Sequence, residues 1–143
     1  MENLSISSGA VELMIDNDPN RVISFYPTDI SFAEGFYNLM QKYDHKQKEM
    51  EKRIEALKHE KKTRIEMNIE CTKIKREAFD TIREGIDNTF GDGTSQIVFG
   101  DRNTLDMVSR FFTGVTPYIQ NARKSEIERY TSDSTESGVM EWN

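Results

Sequence analysis

The sequence predicts a mostly α (α+β) fold: a short N-terminal β-hairpin, then a long charged helix or helical hairpin, then a C-terminal amphipathic helix. Three observations carry this. Residues 11–16 and 22–26 read with period two on either side of a turn-forming stretch, a hairpin over about residues 10 to 26. No proline interrupts the chain from Phe32 to Phe90, and the glycines of that stretch, Gly35 and Gly85, lie near its ends. Finally, Leu105, Val108, Phe112, Val115, Ile119 and Ala122 step by three and four, the spacing of one helical face.

In the first element Val11, Leu13 and Ile15 fall on one side of a strand and Glu12, Met14 and Asp16 on the other. Val22, Ser24 and Tyr26 continue the pattern after Arg21, and Asp16 to Asn20, with Pro19 inside it, supplies the chemistry of a tight reversal. Pro27 closes the second strand. Thr28, Asp29 and Ser31 compete to cap the next helix, and Ser31 with Glu34 three residues on forms a capping box.

Inside the proline-free stretch Phe36, Met40, Tyr43, Met50, Ile54 and Leu57 keep heptad spacing, with Gln47 as a polar seam position. Such a seam requires a partner helix, from another copy or from its own chain, and it is the expected self-association surface. Lys61, Lys62 and Arg64 end it, and the apolar series resumes on another face from Ile65 to Phe90. Either one long helix in an oligomer or a break near Asp44 or Lys58–Arg64 satisfies the pattern. Ion pairs at i,i+4, Glu49 with Arg53 and Glu60 with Arg64, are expected on the wet face.

Three glycines, Gly91, Gly93 and Gly100, then break the helical pattern. A short helix is predicted from Ser95 to Phe99, capped by Thr94 and ended by Gly100, and Asn103 or Thr104 caps the last helix. Pro117 should kink or restart that helix, with Gly114 easing the bend. The domain plan is therefore a flexible start at 1–9, one mostly helical domain at 10–130, and an acidic disordered tail at 131–143. The tail contains no Lys or Arg but ends on the apolar Val139, Met140 and Trp142.

The chain has 143 residues, 36% hydrophobic and 31% charged, with mean hydropathy −0.71, which suits a thin or oligomeric structure. The net charge of −6 argues against binding nucleic acid or anionic membrane with the whole surface. Residues 44–77 hold 11 Lys/Arg against 8 Asp/Glu, so the basic excess is local. Interleaved acids make Lys58–Arg64 a solvated face. With no apolar leader or membrane span, a cytoplasmic protein is expected.

The chemistry-bearing residues do not converge. Cys71 is alone, so neither an intrachain disulfide nor a multi-cysteine zinc site is expected. His45 and His59 lack a ligand partner at helical spacing. Gly91-Asp92-Gly93-Thr94 lacks the lysine of a phosphate loop and follows a helix instead of a strand, so it reads as a structural turn. No enzyme, cofactor or metal is expected. Met107, Phe111 and Tyr118 give the last helix a second apolar stripe. Both stripes are buried within the domain, or the second forms an exposed groove for a partner segment; the groove is the working expectation.

Asp29-x-x-x-Ala33-Glu34-x-x-Tyr37, a charged helical middle, Phe90-Gly-x-Gly-Thr94 and Val98-Phe-Gly-Asp101 before a closing apolar helix together resemble a known family. It comprises small tail assembly chaperones and tail-morphogenesis proteins of long-tailed phages and prophages of Gram-positive bacteria. The resemblance spans about residues 10–130 and implies a non-enzymatic helper. Such a helper binds the tape measure protein, keeps its apolar stretches from aggregating, and helps recruit tail tube protein. It also implies that Phe90, Gly91, Gly93, Thr94, Phe99 and Gly100 form the shaped turn that sets the last helix against the long one. A homo-oligomeric coiled-coil scaffold of the virion is the alternative.

Overall fold

A computed structural model describes residues 1–7 and 9–134, and side chains within that range except those of residues 126 and 130–134. The order is β1 (Val11–Ile15), β2 (Asp18–Phe25), α1 (Ile30–Leu57), α2 (Arg64–Phe90), α3 (Thr94–Phe99) and α4 (Leu105–Ser134). The expected class, mostly helical behind an N-terminal hairpin, is the observed one.

The hairpin is antiparallel, but its reversal sits earlier than Pro19. Asp16 and Asn17 carry the turn with φ of 53° and 60°. Two consecutive left-handed residues make the mirror-image two-residue turn whose twist suits a hairpin, and Asp and Asn tolerate it best after glycine. Pro19 instead falls in a bulge. Val11 pairs with Phe25 and Met14 with Val22 in one register, then Ile15 pairs with Asp18, so residues 19–21 on β2 have no partner on β1. A missing N–H costs no ladder bond there, and Asp18 Oδ1 accepts the Asn20 N–H at 2.9 Å.

Asp29, rather than Ser31, caps α1: its carboxylate accepts the Ser31 N–H at 3.1 Å. The predicted break comes at residues 58–63, the second of the two expected places. There Thr63 and Glu66 form a reciprocal capping box that starts α2. α1 and α2 therefore lie antiparallel as a helical hairpin, with Gly85 tight against Leu39. Arg53 Nη1 donates to Glu77 Oε2 at 2.6 Å across the pair.

That arrangement corrects two expectations. Arg53 reaches across to Glu77, while Glu49 meets His45 and Lys46 and Glu60 meets Lys62, so neither expected i,i+4 pair forms. The heptad seam, expected to join copies, is covered from within the chain. Phe36, Met40 and Tyr43 pack in the main core with α2 and α4, and Met50, Ile54 and Leu57 join Ile74 and Ala78 at the far end of the helical hairpin. Both helices are long enough for one to cover the other, so the seam is satisfied locally at no translational entropy cost.

The main core is aromatic. Phe90, at the end of α2, meets Phe25, Phe32 and Phe111 edge-on with centroids 5.4, 5.2 and 5.3 Å away. Tyr43 lies 5.0 Å from Phe112, and burial pushes its phenol pKa up. The predicted α4 stripe is real: Val108, Phe112, Val115 and Ile119 are all buried. Thr104 caps this helix by accepting the Met107 N–H at 3.2 Å. α4 passes through Pro117 as a single helix and reaches Ser134, so residues 131–134 of the expected tail are helical. The rest of that tail, with Val139, Met140 and Trp142, lies outside the described residues.

Candidate functional site

Gly91, Gly93 and Gly100 have φ of 120°, 85° and 61°, the conformations that favour glycine, and they turn the chain out of α2, into α3 and out again. Gly93 is the N-cap of α3, and Thr94, expected in that role, is already the first helical residue. The Thr94 hydroxyl donates back to the Gly91 carbonyl at 2.7 Å. Phe99 is buried and Phe90 half-buried, so the six turn residues hold α3 between the hairpin and the long helices.

Three charged side chains fix α3 in place, and sequence reasoning did not single out any of them. Asp87 on α2 accepts from the Ser95 N–H at 2.8 Å and the Ser95 hydroxyl at 3.0 Å, doing from another helix what a cap residue does locally. Arg21, thrown out by the β2 bulge, donates from Nε to the Ile97 carbonyl at 2.9 Å and from Nη2 to Val98 at 2.8 Å. Arg83 donates to the carbonyls of Gly100 and Arg102, each at 2.8 Å, and to Asn103 Oδ1 at 2.7 Å, its guanidinium 5.4 Å from the Phe99 ring centre. Those carbonyls would otherwise lack partners at the helix end. The one available signal was Arg21 itself, the sole Lys or Arg before Lys42, set in a strand segment.

With α3 held, a cleft of about 330 Å³ opens between the hairpin and α4. Leu13, Met14, Ile15 and Ile23 line one wall, Val98 and Phe99 the end, and Met107, Phe111, Gly114 and Tyr118 the other wall. Met107, Phe111 and Tyr118 therefore share one surface, as their spacing predicted. Their exposures differ. Tyr118 is 46% exposed and Met107 half-buried, but Phe111 is only 6% exposed. Phe111 packs edge-on against Phe90, Phe99 and Phe112, so it is a core residue whose edge forms the cleft floor, and the expectation that it is an exposed anchor is corrected.

Gly114 is the residue that shapes the cleft. It lies on the Met107–Phe111–Tyr118 stripe, and a Cβ there would meet nothing within 4 Å. Every larger side chain would occupy the space between Phe111 and Tyr118. The rim is charged: Arg110 pairs with Asp106 at 2.8 Å, and Asp16 with Arg21 at 3.3 Å.

Among the described residues no group of three or more His, Cys, Asp or Glu is placed to hold a metal ion. His45 and His59 are exposed and Cys71 is half-buried beside the Met50–Leu57 cluster. No helix among the described residues is long and apolar enough to cross a membrane. The fold and cleft define a small helical protein, headed by a β-hairpin, with an open apolar surface between hairpin and last helix. A family model for proteins of unknown function, DUF6673, matches residues 28–139, and the chain belongs to that family. No curated protein matches the chain. No solved structure matches it.

Proposed function

We propose that the protein is a non-enzymatic assembly chaperone that holds an apolar segment of a partner in the cleft between the hairpin and α4. The observation that carries this reading is the cleft itself: it is open, lined by Leu13, Ile15, Met107 and Tyr118, and shaped by the absence of a side chain at Gly114. A half-exposed tyrosine beside a flexible methionine is the composition of a surface that grips varied apolar side chains. Joined to the resemblance described above, the partner is the tape measure protein of a long-tailed phage, with tail tube protein recruited afterwards, in the host cytoplasm.

The test is co-expression with a tape measure protein of a long-tailed phage, comparing the native chain with Gly114→Trp. The indole fills the cleft from an exposed helical position, so the circular dichroism and thermal midpoint stay near native while capture and solubilisation of the tape measure protein are lost. Undiminished capture by a folded Gly114→Trp variant would overturn the site. Phe111→Asp is not a usable probe, because Phe111 is in the core.

A second reading, a homo-oligomeric scaffold of the virion, draws on Ile65 and Ile69, which are 72% and 49% exposed one turn apart at the start of α2. Light scattering separates the two. A monomer at high concentration removes the scaffold, and an oligomer dispersed by Ile65→Lys with Ile69→Lys supports it.

A further inference from the structure

The N-terminal arm, residues 1–7, presents Leu4 and Ile6 to solvent at 79% and 81% exposure. Beside it, β1 pairs only with β2 among the described residues, so its outer edge has unpaired backbone groups. That edge also borders the cleft, since Leu13, Met14 and Ile15 line it. We propose that the arm folds back onto the free edge of β1 as a third, antiparallel strand, placing Leu4 over the cleft. This proposal concerns the chain alone and stands whether or not a partner segment binds there.

For a two-residue link, the side-chain faces and the backbone directions of β1 both fit. A two-residue link between Ser7 and Ala10 sets Ile6 opposite Val11 and Leu4 opposite Leu13. Residues directly opposite share a face, so both apolar arm residues join the inward face of β1, and Ser5 and Asn3 fall on the solvent face beside Glu12 and Met14. The second argument comes from the other end of the strand. The two-residue turn at Asp16–Asn17 makes Ile15 and Asp18 a hydrogen-bonded pair, so by alternation Leu13 and Val11 direct their backbone groups to β2. Ala10, Glu12 and Met14 then direct theirs outward. A two-residue link from Ser7 needs Ala10 to be outward-facing, and it is.

Gly9 already has φ of 77°, the left-handed conformation that the second residue of such a reversal adopts. The arm is also long enough, seven residues running beside a five-residue strand. A third strand converts a marginal two-stranded ribbon into a sheet and covers its edge.

The experiment is a disulfide trap in the full chain with Cys71→Ser. Opposed positions that do not exchange backbone hydrogen bonds sit close enough for a disulfide, so Ile6→Cys with Val11→Cys should oxidise within one chain. Ile6→Cys with Glu12→Cys, on opposite faces, should not. Hydrogen exchange on the otherwise native chain is the second readout. The amides of Glu12 and Met14 should exchange about tenfold or more slowly than in a Leu4→Asp, Ile6→Asp variant. Equal exchange in both chains, no intrachain disulfide, or a disulfide found only between chains would each overturn the fold-back.

Discussion

The carboxylate of Asp87 on α2 takes both polar hydrogens of Ser95, its N–H at 2.8 Å and its hydroxyl at 3.0 Å, and so caps α3 from a neighbouring helix. α3 has six residues, too few to hold itself together, and Ser95 is buried. Asp87→Ala leaves two donors without an acceptor and should cost about 1–3 kcal/mol in urea unfolding. Asp87→Asn keeps one acceptor and should cost less; an equal loss would mean that charge rather than hydrogen bonding holds the contact.

Gly93→Val should destabilise by about 1–3 kcal/mol, because a β-branched residue is strained at φ 85° although nothing lies within 4 Å of its Cβ. Gly93→Asn tolerates that conformation better and should lose less. A neutral valine variant, read by thermal unfolding, would mean that the turn relaxes to negative φ. The melting temperature should not respond to ATP or GTP in either variant.

Gly114→Ala should stabilise the protein by up to about 1 kcal/mol, since the position is an exposed helix interior with open space around it and alanine is the better helix former. Chemical denaturation measures this directly. A loss instead would show that the backbone at residue 114 is bent enough to need glycine beside Pro117.

The Arg53–Glu77 pair gives a pH dependence of known sign. The guanidinium beside it, by hydrogen bond and charge, holds the Glu77 carboxyl below its ordinary value, and Glu77 in turn raises that of Arg53. A carboxyl with a lowered folded pKa contributes stability above its unfolded pKa and loses it as pH falls through the folded one. Glu77→Gln should therefore flatten the acid limb of stability against pH, below about pH 4.5, more than it changes stability at pH 7 in high salt. Both groups are exposed, so the effect is small, and a double-mutant cycle with Arg53→Gln isolates it. An unchanged acid limb in Glu77→Gln would remove the pair as its cause.

What the sequence determined by itself is local. Period-two patterning and turn chemistry placed the hairpin, the proline-free stretch placed the helical middle but left open whether it broke, near Asp44 or at Lys58–Arg64, or not at all, and the Leu105–Ile119 steps placed α4 and its buried face. Positive φ at Gly91, Gly93 and Gly100 was legible because glycine in such a cluster has few other uses. Partnership was decided only by tertiary structure. Thr63 and Glu66, three residues apart, lie within reach of a spacing rule, but Asp87 caps the next helix by bonding a residue eight positions on, and Arg21 closes that same helix from 76 residues away. The heptad seam announced that Phe36 to Leu57 needs a helix to lean on, and periodicity carries no information about which helix that is. Whether Phe111 is core or surface likewise depends on whether Phe90 at the end of α2 and Phe99 in α3 come to pack on it, since a stripe on a helix specifies a direction and not the depth of what packs there.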